Sequence, residues 1–321
     1  MLENLDCKLI YAAVRILPGS MDKIRSGVLG LNSLMAGGIS PHTTTVVIGA
    51  PGAGKTTFAT QYLRRGLESG EDCVFITLDE SPERIILNAQ LMGWGDIEDY
   101  MKEGSLVFVD AGGKQFSNFI EKELADFVGE WEGHSARIVI DPLTPVLWSV
   151  KERYEQRELV SFLLRETRKM GTVLCTLEEH GDLRSLTSSD IIIPMYLADN
   201  VIHMRYNIGD SPERRELKII KCRSSKHNRN WHPYDIVKGV GLYIRRVNDP
   251  PPDPPTTTDI EAVLKRKLEK IPQLNMGKIP PKAITNMYRT LAALREEDLG
   301  DIDAEELINL IMEEYDIQGS E

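Results

Sequence analysis

Apolar and polar positions follow two rhythms along the chain. Short apolar runs cover Thr45-Val46-Val47-Ile48, Val74-Phe75-Ile76-Thr77-Leu78, Ser105–Asp110, Ala136–Asp141 and Thr172–Leu177. They are short, β-branched and bounded by polar residues, which predicts buried strands. Between them, Lys55–Arg65, residues 82–92, Phe116–Trp131 and Arg157–Met170 carry apolar positions at helical spacing. On the last of these, Leu159, Phe162, Leu163 and Thr167 share a face. Alternation of β and α from 40 to 195 predicts an α/β fold with a mainly parallel sheet. The rhythm then changes. Asp190–Met195 and Asn200–Tyr206 read as strands, Glu213-Arg214-Arg215-Glu216 as a charged hairpin turn, and Leu217–Arg223 as the returning strand. Strands without intervening helices predict an antiparallel edge.

The flanks are of different character. Leu9–Val14 fits a strand or a short helix and ends at Pro18-Gly19. Between Ile24 and Ile39, glycines punctuate a short helical turn. Asn248-Asp249-Pro250-Pro251-Pro252-Asp253-Pro254-Pro255 reads as a stiff polyproline linker. Helical patterns follow near Ile260–Lys270, Pro281–Glu297 and Ala304–Tyr315. The chain thus divides into an extension at 1–20, an α/β domain at 21–247, a linker at 248–258 and a helical region at 259–321. The helical region carries no recognisable chemistry, so docking to a protein partner or assembly is its expected role.

The chemistry is concentrated after the first strand. Gly49-Ala50-Pro51-Gly52-Ala53-Gly54-Lys55-Thr56-Thr57 fits the phosphate-binding pattern G-x-x-x-x-G-K-[ST]. Gly52 and Gly54 let the backbone turn its N–H groups toward phosphate oxygens. Lys55 supplies a point charge, and the Thr56 hydroxyl is a ligand for Mg²⁺. The pattern lies between a predicted strand and a predicted helix, whose N-terminus adds its dipole to the anion site. The bland alternative is a glycine turn joining the two.

Strand ends supply the acids. Asp79-Glu80 follows the second strand, where two carboxylates can activate a water for attack on a γ-phosphate; an acidic helix start at Ser81-Pro82-Glu83 explains them equally well by position. Asp110 and Asp141 both close strands, and either fits the Mg²⁺-holding aspartate. Asp141 is favoured by its β-branched strand and its place after a helical crossover. Asp110-Ala111-Gly112-Gly113 matches D-x-x-G of GTP switch proteins, but the chain has no N-K-x-D and the match is read as an ordinary strand exit. Thr176 ends a strand and fits a γ-phosphate sensor. Lys221, Arg223, Lys226, His227 and Arg229 form a basic cluster, either protecting an edge strand or aimed at phosphate.

Bulk properties narrow the classes. A net charge of −11 argues against a nucleic-acid coat. Cys7, Cys73, Cys175 and Cys222 are scattered without a C-x-x-C pair, which argues against zinc and fits a reducing cytoplasm. No apolar run reaches the ~18 residues of a membrane span. Glu3, Asp6 and the lack of a clear cleavage site predict no signal peptide.

Taken in order, these residues resemble a single KaiC-type domain of the RecA-like ATPase superfamily. The resemblance is carried by Ser26-Gly27-Val28-Leu29-Gly30-Leu31-Asn32-Ser33-Leu34, Gly37-Gly38-Ile39, the P-loop and Phe75–Pro82. It continues through Asn88-Ala89, Gly93-Trp94, the strand ending at Asp141, Arg157-Glu158-Leu159, Ala198–Ile202, Glu213-Arg214-Arg215 and Lys221–His227. It covers about Ile24 to Ile244. It implies a RecA-like P-loop core whose ATP and Mg²⁺ lie between subunits of a homo-oligomer, a hexameric ring in the family. It assigns Asp141 with Thr56 to Mg²⁺ and makes Asp79 and Glu80 the catalytic carboxylates. It makes Lys221, Arg223 and His227 contacts to a neighbour's nucleotide. Asp79 departs from the family's glutamate and reaches one methylene less far, which implies slow turnover or Glu80 as the base. Circadian members carry two such domains and phosphorylate themselves; neither property transfers to this one-domain chain. The function implied is a slow regulatory ATPase. The alternatives are a nucleotide-dependent scaffold with little turnover, for instance on a motility motor, a DNA-repair ATPase and a small-molecule kinase. Glu178, Glu179 and Asp182, against only Arg184, argue against DNA loops between Glu178 and Ser189, and no lid insertion supports a kinase.

Overall fold

The computed structural model describes residues 22–113, 116, 119–180, 186, 188–207, 214–223, 225–245, 285–287, 289–290 and 304–315. The extension at 1–20, the linker at 248–258 and the helix expected at 260–270 lie outside them. The described elements are α1 (Leu31–Leu34), β1 (Thr44–Gly49), α2 (Lys55–Glu68), β2 (Cys73–Thr77), α3 (Pro82–Leu91), α4 (Ile97–Lys102) and β3 (Leu106–Asp110). A π-helical turn at Phe119–Glu123 leads into α5 (Leu124–Trp131). Then come β4 (Ala136–Asp141), α6 (Thr144–Trp148), α7 (Arg153–Met170), β5 (Gly171–Glu178), α8 (Ser189–Leu197), β6 (Asn200–Asn207), β7 (Arg214–Cys222), β8 (His232–Val237), β9 (Gly241–Ile244) and α9 (Ala304–Glu314).

The strands form one sheet in the order β3-β2-β4-β5-β1-β6-β7-β8-β9. The pairs from β3 through β6 are parallel, and β6 through β9 are antiparallel. This is the α/β architecture with antiparallel edge strands that the residue pattern predicts. Alternate residues of β1 serve two cores. Val47 packs with Phe58, Tyr62 and Phe75 on the α2 side, whereas Val46 and Ile48 pack with Leu143, Leu163 and Ile191 on the other. A strand buried on both faces reads as a continuous apolar run, which is why β1, β2, β4 and β5 were legible.

The sheet ties itself to α2 through one buried cation. Arg137 opens β4 and is 1% exposed. Its Nε and Nη2 donate to Glu71 at 2.8 and 2.7 Å, and its Nη1 donates to the carbonyls of Arg25 and Tyr62 at 2.7 and 3.0 Å. A Cβ at Gly66 on α2 would lie 2.5 Å from Arg137 Cδ, so the small residue makes room for the guanidinium. Cys73 and Cys175 are buried in strands, and burial pushes both thiols up, as expected of small core residues.

Three local expectations change. Asp190–Met195 is helical, not a strand. β5 and β6 both run parallel to β1, on either side of it, so the chain between them must cross over and return. That demand overrides the β preference of Ile191-Ile192-Ile193. Arg214, Arg215 and Glu216 lie inside β7, opposite Asn207, Tyr206 and Arg205, and are therefore not a turn, while Glu213 lies outside the described residues. On α7 the fully buried positions are Gln156, Val160, Leu163, Leu164, Thr167 and Met170, while Leu159 and Phe162 are only partly covered. The strands β8 and β9 and the helices α4 and α6 carried no expectation of their own.

The last described helix, α9, packs back on the domain. Glu314 accepts from the Gly27 amide at 3.0 Å and from the Asn32 side-chain amide, and pairs with Arg65 Nε at 3.4 Å. The Tyr315 hydroxyl donates to Glu68 at 2.7 Å. The described part of the helical region thus packs against α2, against Gly27 and Asn32, and through Asn286 against Tyr100 of α4.

Candidate nucleotide-binding site

The P-loop leaves β1 at Gly49 and enters α2 at Lys55. Gly52 and Gly54 hold left-handed backbones, with φ of 77° and 90°. A Cβ at Gly54 would also meet Ile236 Cδ1 at 2.6 Å. No side chain caps α2, so its leading N–H groups remain available to an anion. Lys55 folds over the loop, donating to the carbonyls of Gly49 and Ala50 at 2.9 and 3.2 Å. Burial lowers its proton affinity, and Glu178, Asp141 and Glu179 together oppose that effect.

Asp141 sits across from the loop at the end of β4 and is buried. The hydroxyls of Thr176 and Thr56 both hydrogen-bond its carboxylate. Burial raises its pKa against those bonds and against Lys55. Thr56, Asp141 and Thr176 are therefore brought together, as the sequence reading expects. Asp110 is not with them; it is exposed and accepts from the Gly112 amide in its own turn. A hydroxyl and a carboxylate form an oxygen donor set that suits Mg²⁺. Among the described residues no group of three or more His, Cys, Asp or Glu could hold a metal by itself.

The two adjacent acids separate. Asp79 is exposed, whereas Glu80 is half-buried and its charge acts on Asp141. Glu80 also pairs with Arg84 at 2.8 Å and accepts from Asn88 at 3.4 Å, and its backbone carbonyl accepts from Thr77.

The basic cluster does not reach its own P-loop in any described bond. Lys221 Nζ donates to the carbonyls of Met195, Tyr196 and Ala198 at 2.9, 3.2 and 2.6 Å, around the last turn of α8. Burial and then Arg223 lower its pKa. Arg223 donates to the Tyr196 carbonyl at 3.0 Å and lies 3.7 Å from Asp199. His227 is half-buried nearby, and Lys226 and Arg229 are exposed.

Residues with no assigned role also shape the site. The Tyr234 hydroxyl on β8 donates to the Ala53 carbonyl at 2.6 Å, and Arg215 on β7 donates to the Gly52 carbonyl at 3.4 Å. The antiparallel ribbon thus braces the P-loop. Glu179 donates its backbone N–H to Gly49 O at 3.1 Å, and its carboxylate meets His203 on β6 at 3.0 Å. In the sequence, Glu178 and Glu179 served only to argue against a DNA loop, and nothing pointed to His203 or Tyr234.

The chain is 29% identical to the circadian clock protein KaiC3 of Synechocystis over 236 residues, 70% of this chain and 46% of that protein. It is 29% identical over 237 residues to the circadian clock oscillator protein KaiC of Synechococcus elongatus, 69% of this chain and 44% of that one. The chain therefore matches about half the length of these clock relatives. A UPF0273 protein of Aeropyrum pernix is 28% identical over 244 residues, covering 71% of this chain and 96% of that protein. A family model for the KaiC ATPase matches residues 24–248, which span the whole sheet and every P-loop residue, and the chain belongs to that family.

Proposed function

We propose that this chain is a slow Mg²⁺-dependent ATPase whose nucleotide state switches a homo-oligomer, a ring of six by the family resemblance. The observation that carries the reading is the meeting of Lys55, Thr56, Asp141 and Thr176 at one edge of the sheet. The loop Gly49–Thr57 cradles the phosphates, and Lys55 leaves its two carbonyls for them. Thr56 and Asp141 hold Mg²⁺, and Thr176 senses the γ-phosphate through Asp141. Held by Thr56 and Asp141, Mg²⁺ would supply positive charge against the phosphates. Glu80 takes a proton from the attacking water as the water oxygen bonds phosphorus and ADP leaves. Asp79, exposed beside it, supports Glu80 electrostatically. Lys221, Arg223 and His227 contact the nucleotide of a neighbouring copy, for which the first two must exchange their carbonyl partners on α8. The catalytic unit is 21–247, with 259–321 tethered through the 248–258 linker, and the compartment is the cytoplasm.

Native mass with and without Mg-ATP tests the oligomer. A ring with nucleotide supports the trans contacts; a monomer in both conditions removes them. Lys55→Ala tests the site, since ATP binding retained in that variant refutes the P-loop assignment. A second reading is a nucleotide-dependent scaffold with little turnover. The ion pair of Glu80 with Arg84 favours it, because a carboxylate so engaged is a poorer base. Binding of Mg-ATP without phosphate release would select it.

A further inference from the structure

Glu179 stands out among the buried acids. Its side chain is fully enclosed, yet only one carboxylate oxygen has a partner. Oε2 meets His203 Nε2 at 3.0 Å, whereas Oε1 takes no hydrogen bond from the described residues. Buried polar atoms are almost always satisfied, so an oxygen without a donor among the described residues is open to one supplied by water or a bound ligand.

The surroundings say where that donor comes from. Glu179 follows β5, between the strand that ends at Asp141 and the strand that feeds the P-loop. In parallel sheets ligands bind at this edge. Its amide donates to Gly49 O, the same carbonyl that accepts from Lys55 Nζ. Its charge acts on Lys55. His203 is itself held in place: Trp231 meets its ring edge-on at 5.2 Å, and Arg205 covers Trp231 at 3.8 Å while pairing with Glu216. Neither His203 nor Trp231 can turn away without breaking these contacts.

We propose that Glu179, oriented by His203, is a positioning residue of the nucleotide site. Its unpaired oxygen accepts a hydrogen bond from the water ordered between Lys55 and the γ-phosphate. The inference rests on the ATPase reading above. It adds a third carboxylate to the reaction, at the end of β5 between β4 and the P-loop strand.

The physical signature is a split between binding and turnover. A carboxylate beside a triphosphate repels it in the ground state. Glu179→Gln keeps a hydrogen-bonding group for His203 but removes the charge that orders the water. Mg-ATP turnover and the Kd of a non-hydrolysable ATP analogue with Mg²⁺ are measured on the full chain. In Glu179→Gln, kcat falls at least about tenfold, the scale of a misplaced reacting group, and the Kd stays equal or becomes tighter. His203→Ala shows the same split, and His203→Gln, which keeps an N–H toward Glu179, recovers part of kcat. A purely structural role would weaken binding and turnover together. A Glu179→Gln kcat within about twofold of wild type, or a parallel loss of binding, overturns the proposal. So does a wild-type protein that binds Mg-ATP without hydrolysing it, since no attacking water then needs positioning. Failure of the wild type to bind Mg-ATP overturns instead the underlying ATPase reading.

Discussion

Two adjacent acids of similar chemistry differ here because a strand end exposes one and half-buries the other. Glu80 lies close enough to Asp141 to act on its charge, while Asp79 faces solvent. Glu80→Gln is therefore expected to lower kcat by about 10² or more, the scale of a lost general base. Asp79→Asn should lower it by less than about tenfold, far short of that range. Phosphate release under saturating Mg-ATP separates the two, and equal losses would mean that both carboxylates reach the water. His232 makes a different prediction. It is buried, its Nε2 has no hydrogen-bond partner, and burial lowers its pKa below the ordinary 6.5. A base depressed by folding binds its proton more readily when unfolded. Its contribution to stability is full above pH 6.5 and is lost as pH falls through the folded value. The loss is about 1.4 kcal/mol for each pH unit between the two values. Urea midpoints across mildly acidic pH should fall less steeply in His232→Gln than in wild type.

At the scale of elements, the sheet supplies the site and the antiparallel ribbon holds it. Parallel strands were legible because a strand buried on both faces must be apolar throughout. The helix α8 was not legible, because its Ile191-Ile192-Ile193 run favours a strand locally and only the crossover between parallel β5 and β6 requires a helix. Arg137 shows what burial does to a charge at an element junction. It joins β4 to Tyr62 in the middle of α2 and to Glu71 in the connection between α2 and β2. Arg137→Ala is expected to cost about 2–3 kcal/mol, below the range for fully enclosed pairs because Glu71 keeps part of its water. The shift in denaturant midpoint at constant slope would measure it. Truncation also leaves two buried backbone carbonyls without their donor.

Across the whole molecule, the last described helix belongs to the domain it follows. Arg65 stacks on Tyr315 at 4.6 Å and donates to the Glu314 carbonyl at 3.2 Å, while Gly27 and Asn32 hold the carboxylate. Glu314→Ala should release this end of α9. Hydrogen exchange would then rise in 304–315 and in the C-terminal half of α2, with little change in the P-loop strand. Unchanged protection would mean that apolar contacts such as Leu307, Ile308 and Ile311 hold the helix without the polar socket. Among the described residues, no helix is long and apolar enough to cross a membrane.

The sequence alone determined the family, the parallel core and the phosphate loop. Each rests on local chemistry: glycines that must adopt left-handed backbone, a lysine and a threonine at fixed spacing, and strands whose two buried faces leave no polar positions. Tertiary structure decided the rest. It buried Asp141 and left Asp110 in solvent, although both close apolar strands, because burial depends on the neighbours a strand receives. It half-buried Glu80 within reach of Asp141 and left Asp79 exposed. It set His203, Tyr234 and Arg215 around a loop far from them in sequence. It folded Glu314 into a pocket made by residues at the start of the domain. Pairings of that range are fixed by sheet order and crossover geometry, which no short window of residues contains.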